Sequence, residues 1–255
     1  MVAVVVPSGN HVRLGPYQTR PHIVSDQRLL TNHSWCLVTI DSIFGTNQGN
    51  RIGIGQGHIV PAVSEADRRH WDERHAEAGP ESGDPGPPSV FAAIEDLFPV
   101  EGRAIEIASG RGKLSVWLAL RGLDVLSVDV SPVAIEFARE LAQRSGVADQ
   151  CRFEVWDLDD GLPPGPPMDL VVCHMYREPR LDRELIERLA PRGLLAIASL
   201  SEVGGEPGGF HARPGELREA FGELEILADH EGDGVAWFLG RVSSQPVTQT
   251  LSGTR

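Results

Sequence analysis

Lysine, cysteine and long apolar runs are scarce in this chain of 255 residues. Lys113 is the single lysine, and lysine and arginine together number 23 against 36 acidic residues, which gives a formal net charge of −13. Such a charge disfavours a nucleic-acid backbone or an anionic membrane as the main partner. The longest apolar run is too short to span a bilayer. We therefore expect a small-molecule partner, no nucleic acid and no membrane, although a local basic patch would still permit structured RNA.

The three cysteines, Cys36, Cys151 and Cys173, are scattered and show no C-x-x-C or other metal-ligand spacing. His70 and His75 are five residues apart, so they miss the i, i+4 spacing of a zinc-binding helix. No G-x-S-x-G nucleophile elbow occurs. These absences predict no metal centre, reduced structural thiols and a cytoplasmic setting.

The composition of the chain changes near residue 60. All four asparagines lie before that point, whereas only two of the 36 acids, Asp26 and Asp41, do so. A stretch of this kind, with no sustained period, cannot readily bury enough apolar area to offset an ordering cost of ~1–2 kcal/mol per residue. The sequence therefore predicts a poorly ordered extension over 1–62, one domain over 63–241 and a flexible tail over 242–255.

Segments with strand and helix character alternate through the predicted domain. Arg103–Ile107 and Leu123–Asp129 are typical of strands, Ser131-Pro132 starts a helix, and Ser89 is placed to cap another helix that reaches Phe98. A hairpin signal, Glu231-Gly-Asp-Gly234, follows near the end. This order predicts an α/β fold with a parallel sheet and one antiparallel strand at the C-terminal end.

Two acids at strand ends flank a turn of small residues. The first strand runs into Glu106-Ile-Ala-Ser-Gly-Arg-Gly112, and the second strand ends at Asp129. Glycines let a ligand lie against bare backbone, and the next helix points its free N–H groups at the site. A carboxylate at the tip of the second strand can accept hydrogen bonds from both ribose hydroxyls. The unit therefore predicts a nucleoside site.

Two common phosphate-binding patterns do not fit this turn. A dinucleotide turn, G-x-G-x-x-G, requires a third glycine where Ser115 stands. A P-loop, G-x-x-x-x-G-K-[ST], requires a glycine at Ile107 and a hydroxyl residue at Leu114. The missing third glycine therefore speaks against a dinucleotide, although an NAD-dependent oxidoreductase stays open.

The turn instead resembles motif I of class I S-adenosylmethionine-dependent methyltransferases, acid-x-G-x-G-x-G. Glu106, Gly110 and Gly112 match the motif, and Ala108 replaces its first glycine. The resemblance implies S-adenosyl-L-methionine as the cofactor. It also implies a Rossmann-like, seven-stranded sheet, mostly parallel with one antiparallel C-terminal strand, and helices on both faces.

Two further segments, Trp71-Asp-Glu-Arg-His75 and Arg213-Pro-Gly-Glu-Leu217, are similar to the small-molecule branch of that class. This branch includes the tellurite-resistance and thiopurine methyltransferases. With these segments the resemblance extends over about residues 64–241. It implies that the first segment forms a lid over the cofactor; the alternative is an amphipathic helix that docks through its tryptophan.

The resemblance also assigns roles at the strand tips. Glu106 and Asp129 supply acids near the amine and the ribose of the cofactor, Asp157 and Leu158 meet adenine, and Val130 forms an apolar wall. The alternatives are a solvent-facing acid at Asp157 and ordinary packing at Val130. The full set implied to bind the cofactor is Trp71, Arg74, Glu106, Ala108, Ser109, Gly110, Gly112, Asp129, Val130, Asp157 and Leu158.

The acceptor end is implied to follow the fourth strand, at Cys173-His174-Met175-Tyr176-Arg177. His174 or Tyr176 would orient an acceptor or take its proton; the alternative is that the backbone satisfies His174 and that Tyr176 is simply packed. The segment departs from the Asn-Pro-Pro-Tyr motif of enzymes that methylate nucleic acids or protein. The resemblance thus implies in-line methyl transfer to a small-molecule acceptor. Two other functions stay open: an NAD-dependent oxidoreductase, and a non-catalytic nucleoside-binding or regulatory protein.

Overall fold

The computed structural model describes residues 63–205 and 211–243, which all belong to one compact unit. The predicted poorly ordered extension over 1–62 lies outside the described residues, and so does the predicted tail from residue 244 onward. The limits of the domain therefore stay a prediction.

The helix predicted to start at Ser131-Pro132 begins there and is α3 (Pro132–Arg144). The start of α3 shows why: Ser131 caps it, with the side-chain oxygen accepting a hydrogen bond from the N–H of Ala134 at 3.1 Å, and Pro132 occupies the first helical position. The α-helices of the described residues are α1 (Val63–Ala78), α2 (Lys113–Leu120), α3 (Pro132–Arg144), α4 (Asp182–Glu187) and α5 (Glu216–Ala220).

The strands form one mixed sheet in the order β3-β2-β1-β4-β5-β8-β7, with β8 antiparallel to both of its neighbours. The mostly parallel sheet with one antiparallel C-terminal strand is thus confirmed. An eighth strand, the two-residue β6, pairs in parallel with β5 off this seven-strand path. The strands are β1 (Gly102–Ile107), β2 (Leu123–Asp129), β3 (Cys151–Val155), β4 (Met168–His174), β5 (Leu189–Ser201), β6 (His211–Ala212), β7 (Glu225–Gly232) and β8 (Val235–Arg241).

Apolar side chains cover both faces of the sheet. Along β1, Ala104 belongs to the core that α2 and α3 complete, whereas Ile105 and Ile107 belong to the core that α4 and α5 complete. Alternate residues of a strand point to opposite faces, so a central strand buried on both sides reads as a continuous apolar run. The predicted helices on both faces are confirmed.

One predicted helix is wrong. Ser89 makes no cap, and the segment forms a 3₁₀ turn over Ala92–Leu97 that is kinked at Ile94 (φ −124°). Phe91 and Phe98 are both buried, with ring centroids 5.5 Å apart. Packing of these two rings on the core overrides the local helix signal.

Candidate functional site

The turn between β1 and α2 has three residues in the left-handed region: Ala108 (φ +49°), Gly110 (φ +52°) and Gly112 (φ +75°). This conformation costs an L-residue roughly 1–2 kcal/mol, so Ala108 carries strain that glycine would not. A Cβ at Gly112 would lie 2.6 Å from the Cβ of Ala138, so glycine there lets α3 pack directly on the turn. The turn presents bare backbone at the carboxyl end of β1.

Asp129 ties this turn to the loop after β2. One carboxylate oxygen accepts the N–H of Gly110 at 2.7 Å, and the other accepts the N–H of Ser131 at 2.9 Å. Burial raises the pKa of Asp129, and the two backbone hydrogen bonds oppose the rise. A carboxylate offers about four acceptor positions, so two stay available for a ligand.

Glu106 lies beneath the turn. It is 3% exposed and accepts a short hydrogen bond from the hydroxyl of Ser115 on α2. Burial raises the pKa of Glu106 to about 8, the bond from Ser115 opposes the rise, and the charge of Asp129 adds to it. The neighbouring Ser127 on β2 has a buried hydroxyl without a partner among the described residues. Contact of Glu106 with the amine of a cofactor stays a prediction.

Ser109 links the turn to β2. Its backbone N–H donates to the carbonyl of Val128 at 3.0 Å, whereas its buried hydroxyl has no hydrogen-bond partner in the described part of the chain. A buried, unsatisfied hydroxyl carries a desolvation penalty that a polar ligand or water would relieve. This orphan oxygen is compatible with a polar ligand at the turn.

The predicted residues of α1 stack on each other. The ring of Trp71, which is 42% exposed, stacks on His75 with centroids 5.9 Å apart, and the guanidinium carbon of Arg74 lies 5.4 Å from the Trp71 ring centroid. His75 in turn covers the turn, because its Cε1 lies 3.5 Å from where a Cβ of Gly110 would be. Burial, together with the charge of Arg111, lowers the pKa of His75 to about 4.

The loop after β3 completes this edge of the sheet. The side chain of Asp157 accepts the N–H of Asp159 at 2.9 Å, Leu158 is buried, and Val130 is half-buried after β2. The N–H of Trp156 donates to the carbonyl of Asp129 at 2.9 Å, which fixes the two strand ends together. The predicted adenine-side residues are thus brought to one edge, and their contacts with a cofactor stay predictions.

The two predicted acceptor residues pack on different sides of the sheet. The ring of His174 lies 6.2 Å from that of Phe91, and burial lowers its pKa to about 4, so the imidazole is neutral at pH 7. No described group hydrogen bonds to that ring, so the alternative of a backbone-satisfied histidine is not seen. Tyr176 packs against the opposite core, as in the alternative of ordinary packing, and burial raises its pKa.

Strand register places His211 next to His174. On β5, Ala198 pairs with His174 of β4 and Leu200 pairs with His211 of β6. Because β8 occupies the other edge of β5, the two histidines lie along the same edge of that strand. Their partners on β5 are two residues apart, so the Cα atoms of the histidines are about 7 Å apart at a rise of ~3.3 Å per residue. Paired residues of parallel strands point to the same face, so the Cβ atoms of both histidines leave the sheet on the side of Phe91.

Arg177 was named only as the end of the acceptor segment, and its structural role was not predicted, because a buried arginine has no signal in the local sequence. Its guanidinium is 3% exposed and binds both carboxylate oxygens of Asp182, at 2.5 and 2.8 Å, and Glu216 at 2.8 Å. These bonds join the end of β4 to the starts of α4 and α5. The pKa of Glu216 is lowered, because the hydrogen bonds and the positive charge outweigh the effect of its burial. The network fixes the segment that carries His174.

Metal-ligand clusters and membrane-spanning helices are both absent from the described residues. No three histidine, cysteine, aspartate or glutamate side chains gather as they would around a metal ion. None of the described helices combines the length and the apolarity needed to cross a membrane.

Comparison with known proteins identifies the central part of the chain. Residues 104–193 match the family model described as "Methyltransferase domain". The chain is 31% identical over 141 residues to the ribosomal RNA small subunit methyltransferase C of Chromohalobacter salexigens. The matched region covers 51% of this chain and 39% of that protein. It is 29% identical over 145 residues to the ribosomal protein L11 methyltransferase of Deinococcus radiodurans, with 54% and 51% covered. The chain thus spans about half the length, or less, of these relatives.

A solved structure shares the fold. TehB from Haemophilus influenzae is similar with a TM-score of 0.51 and 20% identity, over 60% of each chain. The strand order and the turn after β1 agree with the methyltransferase-domain match over residues 104–193 and with the resemblance of the sequence to class I S-adenosylmethionine-dependent methyltransferases. S-adenosylmethionine is the cofactor of this class.

Proposed function

We propose that this chain transfers a methyl group from S-adenosylmethionine to a small-molecule acceptor by in-line displacement. The observation that carries the proposal is the carboxylate of Asp129, which holds the N–H groups of Gly110 and Ser131 and keeps acceptor capacity for two ribose hydroxyls. The glycine turn beside it leaves backbone open for the rest of the nucleoside.

The charges around this carboxylate fit a cationic ligand without phosphate. Besides Asp129, Asp72 of α1 lies at this edge and accepts a hydrogen bond from the hydroxyl of Ser131 at 2.5 Å. Arg111, the cation within the turn, is paired with Glu81 at 2.5 Å and points toward α1. A pyrophosphate would meet these two acids and one engaged arginine, so the oxidoreductase reading has less support.

The chemistry asked of the chain is positioning. When bound, S-adenosylmethionine supplies a methyl group already activated on a sulfonium sulfur. The two loops that Asp129 ties together hold the nucleoside end, and orientation of this kind contributes ~7–11 kcal/mol to such reactions. His174, which is neutral at pH 7, can orient a hydroxyl or thiol acceptor by accepting a hydrogen bond from it.

The surroundings of His174 favour an acceptor with an apolar body. Phe91 packs beside the imidazole, and Met175 and Leu200 are 41% and 43% exposed. Apolar walls with a few polar groups are typical of small-molecule sites. His211, on the same edge of β5, supplies a second polar group.

The decisive assay incubates the full chain with methyl-labelled S-adenosylmethionine and separate pools of aryl thiols, phenols, ribosomal RNA and ribosomal proteins. We expect label in a small molecule, and formation of S-adenosylhomocysteine at the same rate. Label only in RNA or protein would overturn the small-molecule acceptor. Cofactor binding without any product would favour the non-catalytic alternative.

Asp129→Ala is the matched test of the site. We expect it to weaken binding of S-adenosylmethionine by ~1.5–3 kcal/mol, the scale of lost charge-assisted hydrogen bonds. Glu140→Gln, an exposed acid on α3, serves as the control and should bind like the wild type. Unchanged affinity in a folded Asp129→Ala protein would refute the ribose assignment.

A further inference from the structure

Arg111 lies within the glycine turn, yet its side chain binds helix α1 and the loop that follows it. One guanidinium nitrogen donates to the carbonyls of Gly79 at 2.7 Å and Ala78 at 3.5 Å, and the other lies 2.5 Å from Glu81. The side chains of Arg111 and Glu81 are only 16% and 18% exposed. The arginine thus holds the C-terminal end of α1 against the turn.

A second polar contact holds the middle of α1. The carboxylate of Asp72 accepts hydrogen bonds from the hydroxyl of Ser131 at 2.5 Å and from the N–H of Val133 at 3.5 Å. These groups belong to the start of α3, where the helix dipole favours a negative charge. Because Asp129 binds both Ser131 and Gly110, α1 is fastened to the two loops that this carboxylate joins.

Apolar burial contributes little to the attachment of α1. None of its residues from Glu65 to Ala78 is fully buried, only Asp72, Arg74 and His75 are half-buried, and Trp71 is 42% exposed. A helix with few buried apolar contacts opens locally at low cost. The polar contacts therefore decide how long α1 stays over the turn.

We propose that Arg111 is a positioning residue that latches α1 over the glycine turn and thereby sets the residence time of the cofactor. The inference rests on the cofactor site proposed above. A planar guanidinium can bind two carbonyls and a carboxylate at once, whereas an ammonium group is a single point charge. The latch thus depends on arginine and not only on positive charge.

The test measures dissociation of S-adenosylhomocysteine from the full chain by stopped-flow displacement. We expect Arg111→Gln to raise the dissociation rate about tenfold without lowering the association rate, the scale of a lost charge-assisted bond. The dissociation rate of Arg111→Lys should lie between those of Arg111→Gln and the wild type. Arg68→Ala serves as the control, because Arg68 is on the same helix and, within the described part of the chain, pairs only with the exposed Glu65.

Salt and hydrogen exchange separate a latch from a purely structural role. High salt should speed dissociation from the wild type but not from Arg111→Gln, because salt screens a partly exposed ion pair. Amides of α1 should exchange faster in Arg111→Gln, with or without ligand. Unchanged dissociation and exchange in a folded Arg111→Gln protein would overturn the latch. A wild type that binds no S-adenosylhomocysteine would overturn the cofactor site instead, and the exchange comparison would still test the latch.

Discussion

Replacement of Glu106 by glutamine tests the account of the buried acid beneath the turn. Glu106 is 3% exposed, and its carboxylate accepts a hydrogen bond from Ser115. Burial raises its pKa from 4.5 to about 8. Glutamine keeps the shape and the hydrogen bond but cannot ionise. The variant therefore isolates the cost of a buried charge.

The direction in which stability changes with pH follows from proton binding. The folded protein binds the proton of Glu106 more tightly than the unfolded chain, so the stabilisation from this group is present below about pH 4.5 and is lost as the pH rises through about 8. Between the two values the free energy of unfolding falls by roughly 1.4 kcal/mol per pH unit. From about pH 5.5 to about pH 8, the wild type should lose roughly 3 kcal/mol relative to Glu106→Gln.

The assay is urea unfolding of both proteins across this pH range, with Glu140→Gln as an exposed control on α3. Other titrating groups are common to all three proteins, so they cancel in the differences. We expect the curve of Glu106→Gln to separate upward from that of the wild type as the pH rises, and the control to follow the wild type. A constant difference between Glu106→Gln and the wild type would refute the reasoning.

Two other substitutions test packing. Gly112→Ala should destabilise the protein by ~1–3 kcal/mol in urea unfolding, because the added Cβ would overlap α3. Gly146→Ala is the control, because Gly146 has a similar φ of +74° but open space around it, and it should lose less stability. Equal losses of stability in the two variants would contradict the close approach of α3 to Gly112. Arg177→Leu should cost ~3–5 kcal/mol because the half-buried Asp182 would lose its guanidinium partner and the buried Glu216 would keep only Arg213. Replacing both acids by amides in that background should recover part of the loss; no recovery would argue against unpaired charge as the cause.

The sequence was sufficient to predict the elements that rest on local chemistry. The cap at Ser131 and the alternation of strands and helices gave α3 and the parallel sheet. The hairpin signal at Glu231–Gly234 gave the antiparallel β8. The helix expected from Ser89 failed, because packing of Phe91 and Phe98 outweighed a weak local preference.

The residues that hold the site together were beyond the reach of sequence patterns. Arg111 binds residues more than thirty positions earlier in the chain, and Asp72 binds Ser131 across 59 positions. Arg177 pairs with Glu216 across 39 positions. Such long-range polar pairs leave no periodic signal in the sequence. Their two members are brought together only by the folded sheet, which places the strand ends side by side. The role of Asp129 in joining two loops was hidden for the same reason.

The most direct test of the central claim is calorimetric titration of the full chain with S-adenosylmethionine, with NAD as the parallel ligand. We expect S-adenosylmethionine alone to bind, with micromolar affinity, and Asp129→Ala to weaken that binding. Binding of NAD alone, or of neither ligand, by the folded protein would contradict the cofactor site at the ends of β1 and β2.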